Sequence, residues 1–389
     1  MRNDLALSLT GFSLIAVTYG LARFSWGLML PDIAQDVPFS PRIAGIIAAC
    51  SFVAYCLASL SASRVTAHFG PRLTGITATL FAAAGLMLLA SAASPGMLAA
   101  GLFIAGLSSG LASPSLAAAV SRCISADRQP QVNTVINAGT GGGIILSVPV
   151  LMLLPGGWRS ACVVFAVIAL LCLIPLLRWL PERSDTPAAP EAGIIYRLRQ
   201  PVLRRLAAIA LVSGIASAAW WSFGPDVLRQ HVRVDDHAAS LLWLVSGGAG
   251  VLGVFTGPAA ARFGLAGIYR VAQLAMALPL LVLSFTQGFN SWLIPAVALC
   301  GAGYITLSGV LLVHGANAAP DAPASGVGLA FFMLAVGQVI GSMLFGLLYN
   351  DAGAPAALIA FCVLGLGLAG ITPERSAARL SGKSPEKKI

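Results

Sequence analysis

The chain has 389 residues, 58% of them hydrophobic and only 10% charged, against roughly 45–50% and about 25% in soluble proteins. That balance excludes a disordered chain, a disulfide-stapled scaffold and a large soluble catalytic domain. The formal charge of +9 is scattered over short loops rather than gathered on one face, which argues against a nucleic-acid partner.

A transmembrane helix needs about 20 mainly apolar residues. Apolar runs predict spans at 7–30, 42–63, 73–92, 97–120, 132–154 and 158–180, then at 204–228, 238–261, 267–287, 291–314, 323–349 and 355–372. The expected architecture is therefore an all-α membrane protein of twelve transmembrane helices in two six-helix halves, 1–180 and 204–372. A polar, proline-containing linker at 181–203 joins them, and a basic tail at 373–389 closes the chain. The first run carries no small-x-small cleavage site and reads as an uncleaved first span. The seven cysteines show no Cys-x-x-Cys spacing and mostly lie in apolar runs, so they read as small hydrophobes.

With the amino terminus inside, 18 of the 23 Lys and Arg residues fall on inner turns and tails. Arg42, Arg159, Arg229 and Arg233 fall outside, and Arg23 lies within the first span. This excess predicts both termini in the cytoplasm of a multi-pass inner-membrane protein.

Self-comparison supports a duplication. Ala67-His68-Phe69-Gly70 returns as Ala261-Arg262-Phe263-Gly264, and Pro31-Asp32 returns as Pro225-Asp226, both at an offset of 194. Pro181-Glu182-Arg183-Ser184 returns as Pro373-Glu374-Arg375-Ser376 at an offset of 192. Six helices per half predict parallel repeats about an axis along the membrane normal.

On these features the whole chain resembles the major facilitator superfamily. The family's loop motif, Gly-x-x-x-Asp-Arg-x-Gly-Arg-Arg, maps onto Ser63, Ala67, His68, Gly70, Pro71 and Arg72, and again onto Gly257, Ala261, Arg262 and Gly264. The resemblance implies a gating role for Gly70, Arg72, Arg262 and Gly264. Both copies lack the aspartate that latches the inner side in the family, so a latch here must be built differently. Gly20, Arg23-Phe24, Gly27 and Leu30-Pro31 resemble the opening of the bacterial YbfB/YjiJ-type branch. Asn137 to Gly143 and Pro149 stand where antiporters of the superfamily carry a Gly-Pro-rich motif; the Gly-Pro pair is absent, and the match tilts only slightly toward export.

Two Gly-x-Gly-x-x-Gly matches (Gly248-Gly250-Gly253 and Gly365-Gly367-Gly370) and a Gly-x-Ser-x-Gly match at Gly106–Gly110 lie inside apolar helices. Dinucleotide and nucleophile-elbow motifs require strand-to-helix turns, so these read as small-residue helix packing.

Arg23 is the single charge in the interior of a predicted span. Three readings are open: a cavity-facing ligand for an anion or carboxylate, a side chain snorkelling from about 10 Å below the outer edge, or a donor to backbone carbonyls. Trp220 and Phe24 are expected at the substrate, because the resemblance implies that spans 1 and 7 line the central cavity; Trp221 is read as an interfacial anchor. Tyr55, Asn137, Gln273, Tyr304 and Gln338 are candidates for substrate contact or interhelical hydrogen bonds.

No Asp, Glu or His stands at mid-depth. Coupling therefore falls to Asp32, Asp226 or His314 near helix ends, with a proton as partner, or the protein exchanges a counter-solute or is a uniporter. The bland reading of Asp32 and Asp226 is a pair of solvated caps. The expected function is a secondary transporter moving a small organic solute by alternating access, an exporter or antiporter of an anionic or amphipathic metabolite. A drug or sugar efflux permease for neutral or cationic substrates is the alternative. An embedded enzyme or sensor is disfavoured, since His68, His231, His237 and His314 are scattered and no soluble domain fits. No cofactor or metal is expected, and the protein is expected to be a monomer in the lipid bilayer.

Overall fold

The computed structural model describes residues 2–182, 199–319 and 323–371. Most of the 181–203 linker, the 373–389 tail and the second partner of the Pro181 match lie outside the described residues.

Ten long apolar helices account for nearly all of the described chain. They are α1 (Asp4–Asp36), α2 (Pro41–Ala90), α3 (Pro95–Cys123), α4 (Gln131–Leu153) and α5 (Gly157–Trp179), then α6 (Pro201–His231), α7 (Asp236–Phe263), α8 (Leu265–Phe285), α9 (Leu293–Ala318) and α10 (Ser325–Ala369). Their starts carry local signals. Ser40 and Ser94 accept the backbone N–H three residues on, with Pro41 and Pro95 in the first helical turn, and Asp235 caps α7 in the same way; such side chains satisfy the orphan donors of a helix start.

Ten helices stand where twelve runs were predicted, because two pairs of runs are joined through one residue each. A straight helix of the length of α2, 50 residues, would extend about 75 Å, over twice the roughly 30 Å apolar core of a bilayer. It does not run straight. Gly70 has φ 83° and ψ 163°, a conformation open to glycine and strained for other residues. The two arms of α2 fold back onto the same stretch of α3: a Cβ on Gly106 would lie 2.2 Å from the Ser51 carbonyl oxygen, and one on Gly85 would lie 2.4 Å from the Ala105 nitrogen. In α10, Gly353 has φ 83° and ψ 168°, and beyond it Phe361 returns to meet Phe345 with ring centroids 5.2 Å apart.

Polar contacts define the two ends of the bundle. At the end that carries the amino terminus, Arg128 pairs with Asp4 and the Arg72 backbone N–H donates to the Pro181 carbonyl. At the other, Arg159 pairs with Asp36 and donates to the Ala92 carbonyl, and the Gly288 N–H donates to the Val232 carbonyl. Side chains that face outward between these ends are mostly large and apolar, among them Leu57, Leu80, Val167, Leu278 and Val363.

Candidate substrate site

The polar residues of the interior gather where α1 crosses the bundle. Residues Ala16–Phe24 of α1 are π-helical, a form that inserts an extra residue into a turn and is frequent at functional sites. The stretch is seated by close backbone contact: a Cβ on Gly20 would lie 2.5 Å from the Gly143 Cα, and one on Gly143 would lie 2.2 Å from the Ala16 carbonyl oxygen. Only small residues allow helices to approach so closely. This contact fixes the rotation of α1 and carries Arg23 inward.

Arg23 is 4% exposed. Its Nη2 donates to Gln338 Oε1 on α10 at 3.0 Å, so the side chain crosses the bundle rather than running along α1 toward an end. Its Cζ sits 4.2 Å from the Phe52 ring centroid, 4.9 Å from that of Tyr55, 5.3 Å from that of Phe24 and 5.5 Å from that of Tyr19. Aromatic faces attract a cation, yet among the described residues no carboxylate forms an ion pair with it. Gln338 Nε2 donates in turn to the Tyr304 hydroxyl at 3.1 Å and to Ser217 Oγ at 3.3 Å.

A narrow cavity opens beside this cluster, lined by Arg23, Phe24, Tyr55, Asn137, Tyr304 and Gln338 among others. Six of the eight residues proposed from sequence as substrate contacts therefore meet in one place. Asn137 Nδ2 donates to Ser308 Oγ at 2.9 Å, linking α4 to α9 across the cavity. A second, smaller cavity shares Arg23 and Phe24 with the first and is closed by Trp26, Ser51, Phe52 and Trp221.

The other two residues lie elsewhere. Trp220 turns away from both cavities, donates its indole N–H to Ser246 Oγ at 3.0 Å and packs on Trp243. The ring that faces the cluster is Trp221, 4.9 Å from both Phe24 and Tyr304. The two adjacent tryptophans therefore point to different neighbours, because one helical step turns a side chain by about 100°. Gln273 is fully buried between α6 and α8, where its Nε2 donates to Ser213 Oγ at 2.6 Å and to the Tyr269 hydroxyl at 3.2 Å.

The residues expected to couple or gate lie at the two ends. At the end away from the amino terminus, Asp32 on α1 pairs with Arg229 on α6 at 2.5 Å, and Arg229 Nε also reaches Asp236 at 3.2 Å. Arg229 is 8% exposed, and Asp226 faces it and the Tyr349 hydroxyl. Asp32 and Asp226 are therefore members of a charged cluster rather than solvated caps. Beside them α2 and α10 touch through backbone, a Cβ on Gly45 falling 2.4 Å from the Ser342 carbonyl oxygen. At the opposite end Arg72 Nε donates to the Leu180 carbonyl at 2.8 Å, its guanidinium pairs with Glu182, and Arg122 donates to the Glu182 carbonyl at 3.1 Å. Gly264, with φ 79° and ψ 145°, nearly repeats the backbone of Gly70. Arg262 is exposed with its guanidinium over Phe263, and His314 is buried in α9 close to Gly315, which packs on Gly326.

Residues 12–342 match the sequence profile of the Major Facilitator Superfamily. The chain belongs to that superfamily. Within it, the AraJ protein of Escherichia coli (strain K12) is 26% identical over 371 residues, spanning 90% of this chain and 92% of the relative. A gentisate transporter of Corynebacterium glutamicum is 25% identical over 353 residues, 83% of this chain and 76% of the relative. A chloramphenicol efflux pump of Mycobacterium tuberculosis is 24% identical over 370 residues, 88% of this chain and 86% of the relative. Among solved structures, a mutant of the nucleoside transporter NupG superposes with a TM-score of 0.74 at 12% identity, covering 95% of this chain and 98% of that one; that likeness shows the fold. As a superfamily member with transporters among its relatives, this chain is a multi-pass membrane transporter.

Sequence reasoning missed Arg229 and Trp221. Arg229 stands three residues after Asp226 in the same helix, a spacing that brings side chains together, and that was the signal available. Trp221 gave none beyond its being adjacent to Trp220.

Proposed function

We propose that this superfamily member is a secondary carrier for small organic anions, working by alternating access at the Arg23 cavity. The observation that carries this is the Arg23 guanidinium: buried, held over aromatic faces, bordering the cavity, and without a carboxylate partner among the described residues. An intramembrane charge is costly and marks a ligand site by default, and a guanidinium offers a planar fork suited to carboxylate. Phe24, Tyr55 and Tyr304 supply aromatic walls, and Asn137 and Gln338 supply hydrogen bonds. The cavity wall is drawn from both parts of the chain, α1, α2 and α4 on one side and α9 and α10 on the other, as a site at a rocking interface requires.

In this reading α2 and α10 each count as two crossings, folded at Gly70 and Gly353, which gives twelve spans in two six-helix halves. The near-identical backbone of Gly70 and Gly264 supports the duplication. Both termini face the cytoplasm of a bacterial inner membrane. The Asp32–Arg229 pair and the Gly45–Ser342 contact close the outer end, Arg72 and Arg122 steady the inner end, and the Asp226 cluster or His314 carries coupling.

The test is uptake of radiolabelled gentisate and benzoate into proteoliposomes, with chloramphenicol as a neutral competitor. Gentisate comes first because a relative carries it in its name. Uptake of at least one of the two anions is expected. Arg23→Gln should weaken binding by about 10- to 150-fold, the value of a hydrogen bond to a charged group, while the protein still inserts. Unchanged affinity in Arg23→Gln, or chloramphenicol transport with no anion transport, would sink the proposal.

A further inference from the structure

One break in the helices around the cavity is not shared by the two copies of the sequence repeat. Residues Val251–Phe255 of α7 are 3-10 helical, a form that within a longer helix marks a hinge or local strain. The positions 194 earlier, 57–61 in α2, are regular α-helix. Four glycines surround the break, Gly248, Gly250, Gly253 and Gly257, where the corresponding positions hold Ala54, Cys56, Ser59 and Ser63. Packing accounts for two of them: a Cβ on Gly253 would lie 2.4 Å from Ile305 Cγ2, and one on Gly250 would lie 3.1 Å from Ile305 Cγ1. On Gly248 and Gly257 a Cβ would meet nothing within 4 Å. Glycine without a packing reason weakens the helix it stands in, so these two make α7 easier to bend and do nothing for its contacts.

We infer that Thr256–Phe263, the inner arm of α7, swings at Val251–Phe255 to open the central cavity toward the inner end, a local bend added to the rocking of the halves. The two parts of α7 are held very differently. Outward of the break, Trp243 is fully buried, and a Cβ on Gly301 of α9 would lie 1.8 Å from the Ser246 carbonyl oxygen. On the other side of the helix, a Cβ on Gly247 would lie 2.5 Å from Ile144 Cγ2 of α4. Inward of the break, Thr256 is the one buried residue of Thr256–Phe263, while Phe255 and Phe263 are 62% and 66% exposed. Gly264, with φ 79°, bounds the arm at its other end in a turn that separates it from α8.

The break sits against the rim of the cavity. Ile305, which Gly253 touches, lines that cavity together with Thr140 and Ser308. Thr256 packs on Gly309, whose Cβ would lie 2.9 Å from the Thr256 Cβ. From α4, a Cβ on Gly141 would lie 2.8 Å from the Gly247 carbonyl oxygen and 3.2 Å from Val251 Cγ2. The break therefore lies behind the Asn137–Ser308 hydrogen bond that joins α4 to α9. The two ends of the path are closed with unequal strength. The Asp32–Arg229 ion pair and the Gly45–Ser342 contact close the outer end, whereas the inner rim is crossed by that neutral hydrogen bond, roughly half as strong as a charge-assisted one. Swinging an arm of eight residues, about 12 Å long, takes Thr256 off Gly309 and frees the inner rim while the outer contacts stay in place. The inference rests on the alternating-access reading for the cavity it opens, and on nothing about the charge of the substrate.

The experiment measures distances by double electron–electron resonance between spin labels on paired cysteines, in the otherwise cysteine-free full-length protein in nanodiscs. The first pair, Arg262→Cys with Asn317→Cys, joins the arm to the inner end of α9, and both positions are exposed. Both lie within 204–372, so rocking of one half against the other leaves their separation unchanged. The second pair, His237→Cys with Asn290→Cys, reports the outer ends of the same half at two further exposed positions. Two populated separations are expected for the first pair and one for the second. Gly248→Ala combined with Gly257→Ala should cut the more separated population by about 5- to 30-fold, the helix preference of alanine over glycine at two positions, without lowering the melting temperature. A single separation for the first pair in wild type, with and without benzoate, overturns the inference, and so do populations that the two alanines leave unchanged. A second pair that moves with the first also overturns it, because the whole half would then deform rather than α7 alone. These distances need no transported anion, so a lack of gentisate and benzoate uptake would sink the carrier reading and leave this inference standing.

Discussion

Arg23 and Gln338 meet across the centre of the bundle, and their contact makes the first prediction. The Gln338 amide serves three partners at once, Arg23, Tyr304 and Ser217. Replacing it with leucine strands those groups, so Gln338→Leu should lower unfolding stability by about 1–3 kcal/mol, measurable as a lower melting temperature in detergent. Gln338→Glu sharpens the question of what Arg23 is for. A carboxylate at 338 would stand at hydrogen-bond distance from the guanidinium and act as an internal counter-ion. It should keep or raise the melting temperature while abolishing uptake of gentisate and benzoate. Uptake at the wild-type rate in Gln338→Glu would show that the guanidinium does not bind the anion. The weight of Arg23 was legible in the sequence because a lone charge in an apolar run stands out under any local measure. The choice between Trp220 and Trp221 was not, because it depends on the rotation of α6 about its axis, which the packing of its neighbours sets.

At the scale of helices, the pattern of glycines separates packing from permissiveness. A methyl group on Gly143 would lie 2.2 Å from the Ala16 carbonyl oxygen, whereas one on Gly248 would meet nothing within 4 Å. Gly143→Ala must therefore push α1 and α4 apart, at a cost on the order of 1–3 kcal/mol, and should displace Arg23 enough to impair transport. Gly248→Ala, in a helical stretch of α7, should be neutral or stabilise by up to about 1 kcal/mol. Melting temperatures of the two variants side by side check the pair, and equal shifts would show that the α1–α4 contact does not set the position of α1. Both glycines occur in small-residue patterns that look alike on paper. Only the partner helix distinguishes them. The joins at Gly70 and Gly353 are a related case: the sequence placed polar turns there, while the structure reverses direction through one residue of positive φ within an otherwise continuous helical pattern.

Across the whole molecule, the prediction concerns the end that holds Asp32 and Arg229. Their ion pair bridges α1 and α6, which lie in different halves of the proposed duplication, so it should restrain the outer opening. Asp32→Asn removes the bridge while leaving Arg229 its contact with Asp236. A cysteine placed at Phe39 beside Trp26, in an otherwise cysteine-free protein, should then react faster with a membrane-impermeant thiol reagent added from outside. No change in labelling rate would show that the pair does not gate the site. Orientation is open to a simpler check. A fluorescent protein fused after residue 371 should fluoresce, and an alkaline phosphatase fused there should be inactive, if the carboxyl end lies in the cytoplasm.

The sequence by itself determined that this is an all-helical membrane protein and where its long apolar segments lie, because hydropathy accumulates over about 20 consecutive residues and needs no knowledge of neighbours; that it transports was implied by its resemblance to the major facilitator superfamily. It also singled out Arg23, Phe24, Tyr55, Asn137, Tyr304 and Gln338, since polar and aromatic groups inside apolar spans are conspicuous wherever they point. The tertiary structure alone decided which of the candidates meet. It left Trp220 and Gln273 in interhelical hydrogen bonds and set Trp221 against Phe24. It also paired Asp32 with a partner 197 residues away. The reason is physical: a side chain's direction on a buried helix follows from that helix's rotation and from the backbone contacts that fix it, here Gly20 against Gly143, and those contacts join parts of the chain that no local pattern connects.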